Sequence, residues 1–383
     1  MNVRDGRPDE LADWDARTVD APGGHVYQSR AWADHRRASG WTPRFMVTED
    51  GGRVLALTRA WPAIGGGSAY LPRGPVAGEP AADPAVLAQR QIAVAQALAG
   101  EGIDVVAADP EVPASDDAFR TRILAAGFHP IEEIQPSRHR ISLPLGTGAD
   151  EASVLDGIAK STRQRVRGAE RDGLAVVRHD ARMIGNRAGE GFSTPTEPAA
   201  IALDRFYDLL LETGERHHFS FGPRAAFVAW WRAAFDAGHL VYLEARVGVA
   251  RATDADPGKV LAGPGEPLAG LILYRHGGRL STVHSGDHAT SRADHPGALH
   301  LLRWRAIQLA IREGCTEMDL GGVDVPGARD EPREGDPLYG LYQHKRAFGA
   351  SWLELTGAHE RVFDSRGYAL GRLTGRLARL VRR

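Results

Sequence analysis

A chain of 383 residues with 43% hydrophobic residues and a net charge of −2 has material for two folded units and no global pull toward a polyanion. Its single cysteine, Cys315, excludes an internal disulfide and a thiolate metal cluster. No apolar run is long enough to span a bilayer, and the start MNVRDGRPDELADWDAR has no apolar signal core, so a cytoplasmic protein is expected.

In chain order, residues 1–25 read as a polar lead-in. Residues 26–41 predict a short helix opened by Ser29 and closed at Gly40, with Arg36 and Arg37 on its polar side. Two alternating apolar runs around Asp50-Gly51-Gly52 predict a hairpin. Apolar residues at helical spacing over 84–100 predict a helix, and IDVVAADP a buried strand ending near Asp109. RTRILAAGF is a helix with a glycine stop, and IQPSRHRISLPL a strand-like exit.

The second half repeats this order: a helix over 224–238, strands in LVYLEARVG and PLAGLILYRHGGRLSTVHSG, an amphipathic helix over 298–313, and the strand CTEMDL. Gly65-Gly66 falls on Gly277-Gly278, and Glu101-Gly102 on Glu313-Gly314, both at an offset of 212. The expected fold is α+β, two tandem modules with mixed sheets flanked by helices. The segments 181–200 and 251–267 are expected to be mobile surface insertions.

Between the halves, residues 150–173 predict one helix. Val154, Leu155, Ile158, Thr162 and Val166 form its apolar stripe; Lys160, Arg163, Arg167 and Arg171 face the other way. The basic stripe is a solvated face or a phosphate site, because each guanidinium forks two hydrogen bonds to phosphate oxygens. The tail RGYALGRLTGRLARLVRR predicts a basic amphipathic helix with Leu370, Leu373, Leu377 and Leu380 on one side. It either docks on the first domain or rests on an anionic membrane surface. From Glu317 to Gly349 a short strand ends at Asp319-Leu320, breaks at Gly321-Gly322, runs through a polar loop and reaches Tyr342, Lys345 and Phe348. No Gly-x-Ser-x-Gly elbow appears, and no histidine spacing points to zinc.

Taken together, YQSRAWADHRRASGW, YLPRGPV, LAAGF with IQPSRHRISL, KSTRQRVRGAERDGL, MDLGGV and GLYQHKRAFG resemble the FemABX peptidyltransferases, over roughly 26–357. The resemblance implies two GNAT-like (acyl-CoA N-acyltransferase-like) domains. The C-terminal end returns to the first, giving 1–145 plus 357–383, which binds the precursor, and 146–356. It implies transfer of an amino acid from aminoacyl-tRNA to an amine of a UDP-linked or lipid-linked muramyl-peptide precursor. No cofactor beyond the aminoacyl-tRNA co-substrate, and no metal, is then required.

By resemblance Lys345 is the lysine of the active cleft and Asp109 the proton acceptor. Arg36, Arg73, Arg163, Arg167, Tyr342, Asp319, Gly321 and His284 bind substrate or shape the cleft. Two departures stand out: His284 occupies a place where tyrosine is common, and His359 and Glu360 lie out of register with an expected carboxylate. Competing readings are a tRNA-dependent aminoacyltransferase of natural-product assembly or self-resistance, an acetyl-CoA-dependent N-acetyltransferase, and a non-enzymatic binding protein. The acetyltransferase lacks its Gln/Arg-x-x-Gly-x-Gly/Ala pyrophosphate turn here.

Overall fold

The computed structural model describes residues 1–79, 82–135, 138–146, 148–183, 189–217, 221–250, 260–262, 265–323 and 330–381. In the first half, β1 (Val3–Asp5) and α1 (Pro8–Ala12) precede α2 (Arg30–Ala38), where the Ser29 hydroxyl accepts the Trp32 N–H at 3.0 Å. The strands β2 (Thr42–Thr48) and β3 (Arg53–Ala60) form the expected hairpin, closed by the Thr48 N–H on the Gly52 carbonyl. Then come β4 (Gly67–Leu71), α3 (Pro84–Gly100), β5 (Val105–Ala108), α4 (Asp117–Ala125) and β6 (His129–Pro130).

The second half runs through β7 (His139–Pro144), α5 (Glu151–Gly157), α6 (Lys160–Arg171), β8 (Leu174–Asp180), α7 (Ala199–His217), α8 (Arg224–Asp236), β9 (Leu240–Ala250) and β10 (Val260–Ala262). It continues with β11 (Ala269–His276), β12 (Arg279–Asp287), α9 (Ala289–Asp294), α10 (Ala298–Arg312), β13 (Glu317–Asp319), α11 (Tyr339–Arg346) and β14 (Ser351–Glu354). The chain closes with β15 (His359–Val362) and α12 (Ser365–Val381).

Two mixed sheets result, ordered β1-β2-β3-β4-β5-β15-β6 and β10-β9-β11-β12-β13-β7-β14, with β8 on β9. The repeat is visible in the pairing. In each sheet an antiparallel hairpin, β3–β4 or β11–β12, is followed by a long helix, and the next strand, β5 or β13, returns parallel to the hairpin.

Four expectations change. The second sheet takes the chain at His139 rather than after residue 145, because β7 pairs with both β13 and β14. The helix expected over 150–173 is two helices, since Ile158 (ψ 137°) and Ala159 (ψ 139°) are extended and the Ala159 N–H goes to the Ala347 carbonyl instead. Helix α7 was not anticipated, and its start at Ala199 shortens the loop expected over 181–200. Of the second expected insertion, 251–259 and 263–264 lie outside the described residues, while Val260–Ala262 pair with β9.

One core lies inside each sheet's helical layer, and a third is shared. Trp32 and Tyr70 of the first half pack with Trp230, Trp231 and Tyr274 of the second, the Trp32 and Trp230 rings meeting edge-on at 4.7 Å. Burial of that many aromatics joins the two halves firmly.

Candidate active site

β12 and β13 pair in parallel over Arg279–Ser281 and Glu317–Asp319, where β13 ends while β12 runs on to Asp287. On its other edge β12 slips register against β11, with Ile272 opposite His284 but Leu273 opposite Thr282, a bulge that bends the strand away. Just past the end of β13 the chain turns at Gly321, whose φ is +75° and whose N–H donates to the Asp319 carboxylate at 2.8 Å. A Cβ on Gly321 would lie 2.6 Å from the Thr282 carbonyl oxygen and 3.4 Å from the Lys345 amine. Only glycine satisfies both constraints.

Lys345 of α11 is 5% exposed, and its Nζ donates to the carbonyls of Gly321 (3.0 Å) and Gly322 (2.6 Å). Behind it, His139 Nε2 accepts the Val323 N–H at 2.8 Å, and its ring stacks on Trp352 at 3.8 Å. Burial, helped by the charge of Lys345, pushes His139 down to about 4, which keeps it the neutral acceptor this contact needs. Tyr342 sits edge-on to Trp352 with its hydroxyl on Glu331, so it supports the stack. Gly321→Ala is therefore expected to lower the melting temperature by several degrees, through about 1–3 kcal/mol of strain, and to lower kcat by displacing Lys345. Thermal denaturation with steady-state kinetics checks both.

The first sheet carries the related feature. β4 and β5 pair in parallel from Ser68 with Val105 to Leu71 with Ala108, and Asp109 follows at the strand end. Asp109 is 1% exposed; it accepts the Tyr70 hydroxyl at 2.8 and 2.9 Å and the Arg73 backbone N–H at 2.8 Å, with Arg73 Nε at 3.8 Å. Burial raises its pKa to about 6 against the pull of Arg73. Arg36 reaches toward Tyr27 and Tyr70, lying over the Trp32 ring at 5.3 Å and the Trp41 ring at 5.5 Å, and its Nε is buried without a hydrogen bond.

A buried seam of charge links the two strand ends. Glu111 pairs with Arg279, with Arg140 at 3.2 Å and with His25 at 3.8 Å, while Arg140 also reaches Glu317 at 3.5 Å. Burial opposes ionisation of Glu111, yet Arg279 and Arg140 hold it well below the usual carboxylate range. Burial pushes Asp319 up, with Arg140 opposing. Asp109, Arg73, Glu111, Arg140 and Asp319 thus form a buried cluster of mutually interacting charges between the two strand ends.

The structure gathers Arg36, Arg73 and Asp109 on one side of this cluster and Asp319, Gly321 and Lys345 on the other. His284 follows the bulge, among the rings of Phe221 (6.2 Å), Phe227 (5.6 Å) and Trp231 (5.6 Å), and burial lowers it to about 4. Arg163 and Arg167 are placed elsewhere, in a shallow hollow of about 350 Å³ with Glu151, Glu170 and Trp304. Arg163 closes the end of α5 by donating to the Leu155 and Asp156 carbonyls at 3.2 and 3.1 Å. The Leu155 carbonyl also accepts the Ile158 N–H at the break, at 3.1 Å.

Sequence reasoning missed Tyr70, Glu111, His139, Arg140, Arg279 and Trp352. Of these Tyr70, His139 and Arg140 carried a signal, lying in the quoted passages YLPRGPV and IQPSRHRISL. It also missed Arg303 of α10, 2% exposed, whose Nε and Nη1 are buried without a partner and which burial lowers to about 10. His359 is a buried residue of β15, and Glu360 faces His129 at 3.3 Å, so both belong to the first sheet.

Among the described residues no group of three metal-ligating side chains converges, and no helix is long and apolar enough to cross a membrane.

The comparisons agree with this architecture. A family model described as an acetyltransferase (GNAT) domain matches residues 160–346. The lipid II:glycine glycyltransferase of Staphylococcus aureus is 23% identical, the match covering 93% of this chain and 92% of that protein. The crystal structure of FemX superposes with a TM-score of 0.73 at 18% identity, over 97% of this chain and 99% of that one. A conserved protein of unknown function from Bacteroides thetaiotaomicron follows at 0.52 and 12% identity, over 94% and 98%.

Two mixed sheets, each with a hairpin followed by a parallel return strand, and these likenesses show a tandem GNAT-like fold.

Proposed function

We propose that this acyltransferase moves an aminoacyl group from aminoacyl-tRNA to a free amine on the stem peptide of a peptidoglycan precursor. The observation that carries the reading is the buried amine of Lys345, fixed by the Gly321 and Gly322 carbonyls just past the end of β13. A tRNA ester is already activated, so the site has three tasks: to hold ester and amine together, to take a proton and to stabilise the oxyanion. The lipid II substrate in the name of the S. aureus relative favours a lipid-linked acceptor. In an acetyl-CoA enzyme the start of α10 would hold a pyrophosphate. Here α6 covers it: a Cβ at Gly297 would lie 2.5 Å from the Arg165 carbonyl oxygen and 3.0 Å from the Ala169 side chain.

In this reading the acceptor nitrogen attacks the ester carbonyl and a C–N bond forms. Lys345 stabilises the negative charge that develops on the carbonyl oxygen. The ester C–O bond then breaks, and the tRNA oxygen leaves as a hydroxyl, taking the proton that Asp109 had accepted from the amine. Asp109 receives the amine's proton, relayed by the Tyr70 hydroxyl, while Arg36 and Arg73 hold the acceptor's anionic groups. Since Asp109 must be ionised to accept, and burial places it at about 6, kcat/KM is expected to rise with pH through about 6 and level off above it. Asp109→Asn should lower the plateau about 10²-fold or more and remove that limb. An unchanged limb in the Asn variant, read from a pH profile, would assign the titration to another group.

A further inference from the structure

Helix α12 presents different faces, and the first domain grips an unexpected one. The docked face is made of glycines. A Cβ at Gly371 would run into the Trp61 indole, and one at Gly367 would lie 2.8 Å from the Asp104 carboxylate, which accepts the Trp61 N–H at 2.6 Å. The sequence continues that face at the same spacing with Gly375. Docking by glycines turns the leucines outward: Leu370 and Leu373, neighbours on the helix surface, are each 54% exposed. Leu377 and Leu380 extend the same stripe in the sequence, and the exposed Arg366 and Arg372 begin a run of six arginines without one acid from Ser365 to the end.

We infer that α12 is a membrane-surface helix. Leu370 and Leu373 enter the boundary between headgroups and acyl chains of an anionic bilayer, and the flanking arginines meet lipid phosphates. Charge complementarity selects this occupant over a second copy of the chain. A two-fold interface on the same face would set two helices with six arginines each against one another. The use of this surface, to bring the site to a lipid-linked acceptor, rests on the functional reading above; its physical test does not.

The test is co-sedimentation of the full chain with vesicles of phosphatidylcholine alone or mixed with phosphatidylglycerol. Binding is expected only to the anionic vesicles and to weaken with added salt. The double variant Leu370→Glu, Leu373→Glu should lose it by more than tenfold without a change in thermal melt, and Arg372→Gln by about fivefold. Equal binding by parent and double variant, or no binding by the parent, overturns the inference. A dimer in sedimentation velocity that the double variant abolishes assigns the face to a second copy and overturns it too. In transfer assays the double variant should keep its rate on a UDP-linked soluble acceptor and lose it on a vesicle-borne one. A parent that binds vesicles but transfers to neither acceptor leaves the surface standing and removes the functional reading.

Discussion

Lys345→Met is expected to lower the transfer rate about 10²–10³-fold, the loss seen when one preorganised charge-stabilising donor is removed. Methionine keeps most of the stem volume, so the packing around Tyr342, His139 and Trp352 is retained. The carbonyls of Gly321 and Gly322 lose the donor they share, which costs about 1–3 kcal/mol and a few degrees of melting temperature. Lys345→Arg should fail nearly as badly, because a planar fork cannot replace a compact amine between two adjacent carbonyls. Near-normal turnover by either variant contradicts the role given to Lys345. A loss of affinity for the acceptor alone, with kcat intact, would make it a binding residue.

The second large effect is on stability in mild acid. Burial, the largest cause each time, lowers His25 to about 3, His139, His284 and His300 to about 4, and His344 to about 2. Each is neutral in the fold and would take up a proton on unfolding below about 6.5. Their stabilising contribution is thus complete above about pH 6.5 and fades as the pH falls toward the folded values. At pH 5 each has given up about 2 kcal/mol. His300 and His344 lie with ring centroids 4.4 Å apart and do not add independently.

Asp109, raised to about 6, acts in the opposite sense and returns about 1 kcal/mol on acidification. The balance still rivals a whole domain's stability of about 5–15 kcal/mol. The urea midpoint is expected to fall steeply between pH 7 and pH 5, with unfolding near pH 5 in the absence of urea. A midpoint unchanged over that range would mean that these histidines are solvated.

Local features of the fold were legible because their causes are local. Ser29 caps its helix, the Asp50–Gly52 turn closes its hairpin, and two glycine pairs at one offset disclosed the duplication. What failed depended on contacts distant in sequence. The helix over 150–173 keeps its apolar stripe through the break, so periodicity could not show it. The break is fixed by Ala347, far along the chain. β7 reads as a strand in isolation, and only its partners β13 and β14 assign it to the second sheet.

The site divides the same way. Asp319, Gly321 and Lys345 are near neighbours in sequence around one glycine turn, and the resemblance names them together. The pairing of Glu111 with Arg279 spans 168 positions, and no pattern in either stretch announces it. Arg163 illustrates the converse: a basic stripe reads as a phosphate site, yet its first guanidinium is used to close a helix end. The leucine stripe of the tail reads as a docking face, while the glycines beside it make the contact.

The most direct measurement is an intact-mass transfer assay. The purified protein is incubated with a mixed pool of charged tRNA and a muramyl pentapeptide acceptor, UDP-linked in one tube and lipid-linked in vesicles in another, with acetyl-CoA replacing tRNA in a third. A mass gain of one aminoacyl residue on the acceptor, abolished by prior treatment of the tRNA with RNase, is the predicted result, and it identifies the amino acid at the same time. An acetyl gain in the third tube, or no gain on either acceptor with every tRNA present, contradicts the account.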